Sequence, residues 1–64
     1  MYYVIKGYNA VKPVDEHCDI AYNKGEKIAL IKQYKEYLKS KELDMFKVVS
    51  YRNNNELKDI ITYQ

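Results

Sequence analysis

The chain has little of what usually stabilises a very small protein or carries its chemistry. Its 64 residues include one cysteine, one histidine, two glycines, one proline and no tryptophan. The lone cysteine, Cys18, excludes an intramolecular disulfide and a zinc site built from several cysteines. A domain this short buries only about 60% of the surface that its unfolded chain exposes. We therefore expect one small domain, residues 1–64, whose marginal stability is supported by a homodimer or by a larger partner.

Long hydrophobic runs and a strong net charge are also missing. No stretch of about 18 apolar residues is present that could span a membrane, and the N-terminal residues do not follow the plan of a secretion signal. We expect a cytoplasmic protein without membrane contact, which agrees with a single free thiol. The formal charge of +2 is too small to indicate nucleic acid by itself.

Residue types suited to catalysis or metal binding cluster only in residues 15–19, which include His17 and Cys18. Neighbours in an extended segment point to opposite sides, so these side chains do not converge on one ion. A solvated acidic loop is the favoured interpretation, and a weak divalent cation site is the alternative. His17 and Cys18 are neighbours in the chain, whereas a catalytic pair needs the two residues held by different elements, with a third group that orients the imidazole. We expect no enzyme activity, no metal and no cofactor, and a buried or half-buried thiol at Cys18.

Tyrosine is the residue that the chain has in excess, at positions 2, 3, 8, 22, 34, 37, 51 and 63. A tyrosine ring is apolar and its hydroxyl is polar, which suits the edge of a small core or a binding surface. Arginine is scarce by contrast, because Arg52 stands against ten lysines. Together with many Asn, Ile and Tyr residues, this composition is typical of A/T-rich codons and points to a low-GC bacterium or one of its viruses.

The N-terminal third predicts one strand and a loop. Residues Tyr2–Tyr8 are rich in aromatic and β-branched types, and both faces of that strand are largely apolar. Such a strand is usually central in its sheet or covered by a second subunit. Residues 9–23 contain Pro13 and show no clear periodicity, so a loop is expected there. A short second strand at residues 17–22, with Cys18, Ile20 and Tyr22 on one side, is an alternative.

The middle third predicts a helix. Asn23 can cap its N-terminus and Glu26 can reach back in a capping box, and good helix formers run to about Lys41. At about 100° per residue, one apolar stripe is expected to face a sheet; it comprises Leu30, Ile31, Tyr34, Tyr37 and Leu38. A neighbouring arc carries Lys24, Lys32, Lys35 and Lys39.

The last third predicts a β-hairpin of residues 45–51 and 56–63 around an asparagine turn. With a two-residue turn at Asn53 and Asn54, the expected cross-strand pairs are Phe46 with Ile61, Val48 with Asp59, and Ser50 with Leu57. This register collects Phe46, Val48, Leu57, Ile61 and Tyr63 on the core side. The other side, which includes Val49, Tyr51 and Ile60, is expected to face solvent, a partner or a second copy.

The expected fold is α+β, with the order β(β)αββ and one helix on a three- or four-stranded, mostly antiparallel sheet. The leading functional hypothesis is a small non-enzymatic module that binds a larger host protein or complex, as a virus-encoded inhibitor would. Its predicted contact residues are Tyr2, Tyr8, Lys35, Lys39, Val49, Tyr51 and Ile60, with Tyr3 a further candidate for recognition. A nucleic-acid binder that uses the helix lysines and sheet tyrosines is less favoured, and a self-associating structural subunit is the third hypothesis.

Overall fold

A computed structural model of the chain describes residues 1–10 and 17–64. The elements are β1 (Tyr2–Tyr8), β2 (Cys18–Ala21), α1 (Lys24–Lys39), β3 (Met45–Tyr51) and β4 (Leu57–Tyr63). The four strands form one sheet in the order β2-β1-β3-β4, and every neighbouring pair is antiparallel. The predicted α+β class is therefore confirmed, with β1 central and the optional second strand present.

Buried and more exposed side chains alternate along β1 and β3, which gives the sheet one buried face. Tyr3 and Ile5 of β1, Ala21 of β2, and Phe46 and Val48 of β3 are all buried. Side chains two residues apart in a strand share a face, and the strand pairing brings these five onto the same side, here called the inner face. The backbone of α1 comes close to β1, β2 and β3, but not to β4. Apolar burial between α1 and this face stabilises the fold.

The helix buries the stripe that its sequence predicts. Tyr34 is fully buried, and four further members pack against the core, namely Leu30, Ile31, Tyr37 and Leu38. The Tyr34 ring meets Phe46 edge-on with centroids 5.4 Å apart, and Phe46 stacks on Tyr63 at 4.6 Å. A ladder of rings thus runs from the helix across the sheet to β4, and the predicted core positions of Tyr34, Tyr37 and Tyr63 are confirmed.

The start of α1 follows the predicted capping box with one difference. The Asn23 side chain accepts a hydrogen bond from the Glu26 backbone N–H at 2.8 Å. The Glu26 carboxylate in turn accepts from the backbone N–H of Tyr22, also at 2.8 Å, rather than from that of Asn23. The first bond satisfies a backbone donor that the first turn of a helix leaves free, and the second satisfies the donor of the residue just before the cap.

The helix ends at Lys39, two residues before the expected end at Lys41. Lys41 has a φ of 64°, in the left-handed region. Its N–H donates to the carbonyl of Leu38 at 3.2 Å, and the Glu42 N–H donates to the carbonyl of Tyr37 at 3.0 Å. This pair of bonds is a Schellman motif, which usually has glycine at the position of Lys41.

Gly7 is required because the side chain of Leu43 packs closely against it, and not because the chain turns there. A Cβ atom at this position would lie 2.5 Å from Cδ1 of Leu43. Leu43 belongs to the connection between α1 and β3 and is a core residue that the sequence pattern did not indicate. The same connection is tied to β1 because the Asp44 N–H donates to the Tyr8 carbonyl at 2.8 Å.

The β3–β4 hairpin does not have the expected register. The turn has three residues, and Asn55 adopts a φ of 65° while its N–H donates to the Arg52 carbonyl at 2.9 Å. A second irregularity follows, because Tyr51 pairs with Leu57 whereas Ser50 pairs with Asp59. Lys58 is therefore an extra residue, as in a β-bulge. Each irregularity shifts the pairing by one residue.

The two shifts together preserve most of the expected faces. Val48 now pairs with Ile61 and Phe46 with Tyr63, so Ile61 and Tyr63 stay on the inner side. The placement of Leu57 on the core side was wrong, since its pairing with Tyr51 puts it on the opposite face. Tyr3 as a recognition residue was also wrong, because it is buried under α1 with 4% of its surface exposed.

Candidate functional site

The face of the sheet opposite α1, here called the outer face, carries an aliphatic row that crosses all four strands. The strand registers place Ile20, Val4, Val49 and Ile60 side by side in that order. Ile20 is 49% exposed and Ile60 is 53% exposed, and the two valines are half-buried. No helix or strand among the described residues packs on this row. Isolated apolar side chains at a surface are ordinary, but a contiguous patch indicates an interaction site.

A pair of tyrosines flanks the row on the side of the hairpin turn. Tyr2 and Tyr51 lie opposite each other on β1 and β3, and their rings stack with centroids 5.0 Å apart. The turn holds this pair in place, because the Tyr2 hydroxyl donates to Oδ1 of Asn55 at 3.0 Å. The N-terminal ammonium of Met1 also donates to the side chain of Asn53. These contacts restrict the rings, so a partner would meet a preformed aromatic surface.

Two lysines flank the row on its other side. Lys6 and Lys47 lie directly opposite each other on β1 and β3, and Nζ of Lys47 lies 5.7 Å from the centroid of the Tyr8 ring. Like charges in such a cross-strand pair are destabilising. Among the described strand residues of the outer face there is no carboxylate that would neutralise them. An acidic group supplied from outside would relieve this repulsion.

The predicted contact residues fall into two groups on opposite sides of the molecule. Five lie on the outer face, namely Tyr2, Tyr8, Val49, Tyr51 and Ile60. Lys35 and Lys39 belong to α1 on the inner side, and Nζ of Lys35 lies 5.5 Å from the centroid of the Tyr63 ring. One flat partner therefore cannot contact both groups at once.

Four residues of the aliphatic row and its flanking pairs were not predicted as contacts: Val4, Lys6, Ile20 and Lys47. Alternation along β1 already put Val4 and Lys6 on one side with Tyr2, and it put Ile20 on the apolar side of β2. What the sequence did not provide was the pairing between strands. That pairing aligns these residues with Val49 and Ile60.

The run from residue 15 to residue 19 lies partly outside the described residues, and its described part does not converge. The His17 ring stacks on Tyr37 with centroids 4.6 Å apart, while Cys18 is exposed on the outer side of β2. The expected burial of Cys18 was wrong, because β2 is an edge strand whose outer face has no cover among the described residues. Within residues 1–10 and 17–64, no group of three metal-binding side chains could hold an ion.

Asp19 is engaged in the packing of the helix. Its carboxylate accepts a hydrogen bond from the hydroxyl of the buried Tyr34 at 2.7 Å. Burial, and then this bond to a carboxylate, raise the pKa of Tyr34 well above its ordinary value. The neutral hydroxyl is thus a fixed structural donor that joins α1 to β2.

Comparison with protein-family models, with curated proteins and with solved structures gave no match. In the part of the chain that the structure describes, no helix is long and apolar enough to cross a membrane.

Proposed function

We propose that the protein is a small non-enzymatic module that binds a larger protein through the outer face of its sheet. The observation that carries this proposal is the aliphatic row of Ile20, Val4, Val49 and Ile60, which crosses the sheet in register with no described element above it. Aliphatic centres with aromatic and polar rims are typical of protein interfaces. The stacked Tyr2 and Tyr51 rings supply rigid anchors of the kind that dominate binding energy.

The charge of this face favours an acidic partner. Lys6 and Lys47 contribute two positive charges beside the aliphatic row, and the described strand residues of the face contribute no negative charge. The surface of a complementary partner is therefore apolar at its centre and carries carboxylates at one edge. Charges at such a rim raise the association rate and set the orientation more than they raise the affinity.

The same geometry favours protein over nucleic acid as the partner. The helix lysines and the outer-face tyrosines lie on opposite sides of the sheet, so one strand of nucleic acid would have to pass around the molecule to reach both. Tyr2 and Tyr51 stack on each other, and the row between the two rims is aliphatic, whereas bases stack on free aromatic faces.

The biological role that we propose is a virus-encoded inhibitor or modulator of a host enzyme or defence complex, acting by surface occlusion in the cytoplasm of a low-GC bacterium. Ten lysines against one arginine support the source. A module that only covers a surface requires no catalytic group, and a domain of this size can present a preformed sheet face. We also propose that it self-associates, because small domains commonly gain stability in this way.

A capture experiment with two charge variants tests the outer face. Tagged wild-type protein and the variants Ile20→Glu and Ile28→Glu would be incubated with lysate of a low-GC bacterium. Ile20 lies on the outer face, whereas Ile28 lies on α1 and is 64% exposed. The substitution is identical, so the variants differ only in the surface that receives the charge. We expect Ile28→Glu to capture the same protein as the wild type and Ile20→Glu to lose it.

Circular dichroism would first establish that both variants are folded. Capture that Ile20→Glu retains in full would contradict the proposed surface. A titration with single-stranded and duplex oligonucleotides at low and moderate salt provides a separate check. Tight and steeply salt-dependent binding would overturn the preference for a protein partner.

A further inference from the structure

Strand β4 is a long sheet edge without a described neighbour on its outer side. It spans seven residues, Leu57–Tyr63, and among the described strands it pairs only with β3. Proteins usually guard such edges with proline, charge or a covering element, because the free N–H and C=O groups of an edge can pair with another chain. The extra residue Lys58 disturbs only the beginning of β4. Residues 60–63 remain regular and contain no charged side chain.

The inner side of this edge is also uncovered. The backbone of α1 does not come close to β4, and Ile61 is 47% exposed although it lies on the inner side of the sheet. A shallow depression on α1 is lined by Ile28, Ile31, Lys32 and Lys35, and Nζ of Lys35 lies 5.5 Å from the centroid of the Tyr63 ring of β4. The basic group of Lys35 thus lies beside the free edge.

We infer that a second copy of this chain pairs with this edge, β4 against β4 in antiparallel orientation around Ile61, to give a continuous eight-stranded sheet. A twofold axis perpendicular to a sheet keeps inner side chains on the inner face, so the pairing must be centred on a residue. Centred on Ile61, each Ile61 faces the partner's Ile61. Each Asp59 then faces the partner's Tyr63.

Charge complementarity selects this register. Nζ of Lys35 lies 5.5 Å from the centroid of the Tyr63 ring. Neighbouring strands are about 4.8 Å apart, so the carboxylate of the partner's Asp59 comes next to this ammonium group. Symmetry makes the contact twice, since Asp59 of the first copy meets the partner's Lys35 in the same way. Each copy therefore supplies both a lysine and an aspartate, and these form two ion pairs across the interface.

The outer face lacks this property. Lys6 and Lys47 have no described carboxylate beside them on that face, so two copies stacked through it would bring four lysines together. Self-association is part of the proposed function, but its contact lies on β4, and binding of another protein through the outer face can succeed or fail independently. Two paired edge strands bury less than the about 1,000 Å² of a stable interface, so the dimer is a weak and concentration-dependent one.

Sedimentation equilibrium with charge-swapped variants tests the dimer. Across low-micromolar to submillimolar concentrations, the wild-type mass is expected to rise from 7.7 kDa toward twice that value. Lys35→Glu and Asp59→Lys each turn two attractive contacts into repulsive ones, and each is expected to weaken association by about tenfold. The matched control is Lys24→Glu, which makes the same charge change at the start of α1 and is expected to leave association unchanged.

Mixing the two single variants gives the decisive result. In a dimer of one Lys35→Glu chain and one Asp59→Lys chain, one ion pair is restored with reversed sign and the other is the native pair of Asp59 with Lys35, so the mixture is expected to regain the mass that each variant loses alone. The double variant Lys35→Glu, Asp59→Lys is expected to associate like the wild type. A wild type that stays monomeric throughout, or a mixture that remains as monomeric as its components, would overturn the inference. Neither result bears on capture of a partner by the outer face.

Discussion

At the scale of single residues, the end of α1 holds a lysine where the backbone favours glycine. Lys41 adopts a φ of 64° and occupies the position after the helix cap. A side chain in this region costs about 1 to 2 kcal/mol because Cβ approaches the following carbonyl oxygen. The fold retains this conformation because the Schellman bonds and the burial of Leu43 fix the path of the chain.

Replacing Lys41 by glycine is therefore expected to stabilise the protein. The relief of strain exceeds the extra freedom of glycine in the unfolded chain, and a gain of about 0.5 to 1 kcal/mol in the free energy of unfolding is expected. Urea denaturation at low protein concentration measures it. The control Lys39→Gly removes the same charge within the helix and is expected to destabilise by about 1 kcal/mol. If both variants shifted the midpoint in the same direction, strain at Lys41 would not be the cause.

The hydroxyl of Tyr34 predicts a dependence of stability on alkaline pH. Burial and the bond to Asp19 raise the pKa of Tyr34 in the folded chain, whereas the unfolded chain releases this proton near pH 10. The stabilising effect is thus fully present below about pH 10 and is lost as the pH rises above it, by about 1.4 kcal/mol for each pH unit.

The variant Tyr34→Phe isolates this effect. At neutral pH it loses one hydrogen bond to a carboxylate and is expected to be less stable by about 1 kcal/mol. Above about pH 10 the wild type loses stability that the variant cannot lose, so the difference between them should shrink and then reverse. Urea denaturation at several pH values between neutral and strongly alkaline measures both curves, and the other tyrosines act equally in each. Parallel curves would show that Tyr34 titrates normally in the folded state.

At the scale of elements, the hairpin keeps its faces through two compensating irregularities. Asn55 in the turn and Lys58 in β4 each add one residue to the same side of the ladder. A shift of one residue sends every side chain of a strand to the opposite face, whereas a shift of two restores it. Ile61 and Tyr63 therefore remain on the inner side because the two shifts offset each other, whereas either one alone would turn them outward.

Deleting these residues tests the compensation. Deletion of Asn55 alone or of Lys58 alone is expected to turn Tyr63 outward and to cost more than about 2 kcal/mol, because its ring leaves the stack with Phe46. Deletion of both leaves a two-residue turn and no bulge, with the native pairing from Asp59 onward. The double deletion is expected to be more stable than either single deletion, as measured by urea denaturation. Additive losses would show that the two irregularities are not coupled.

This hairpin also shows what the sequence can predict and what it cannot. The cap at Asn23 and the stripe around Tyr34 depend on neighbours within one helix, so their patterns predicted them correctly. The register of β4 depends on a positive φ at Asn55, which asparagine tolerates at several positions of a turn. Whether Tyr3 or Tyr2 faces the helix could not be decided, because both sides of β1 are largely apolar. Lys35 and Tyr51 lie on opposite sides of the molecule because α1 covers the inner face of the sheet, and the sequence pattern did not determine which face that would be.

At the scale of the whole molecule, one sheet presents two apolar faces with different surroundings. The inner face meets α1 and contains the fully buried side chains Ile5 and Phe46. The outer face has an aliphatic row of similar composition, yet its end members Ile20 and Ile60 are about half exposed. Apolar surface that stays in water contributes little to folding, so the outer row is expected to contribute little to stability, and in the proposed function its contribution is to binding.

Conversion of the outer isoleucines to threonine separates these two contributions. The double variant Ile20→Thr, Ile60→Thr keeps the β-branched shape that strands favour, and its free energy of unfolding is expected to stay within about 0.5 kcal/mol of the wild type. Val48→Thr makes a similar change on the inner face, where the side chain is 2% exposed, and is expected to cost about 1 to 3 kcal/mol because the hydroxyl is buried. Urea denaturation at low-micromolar concentration compares them. Equal losses would mean that the outer row is covered in the folded protein, whereas a neutral double variant leaves this row as a surface exposed for a partner.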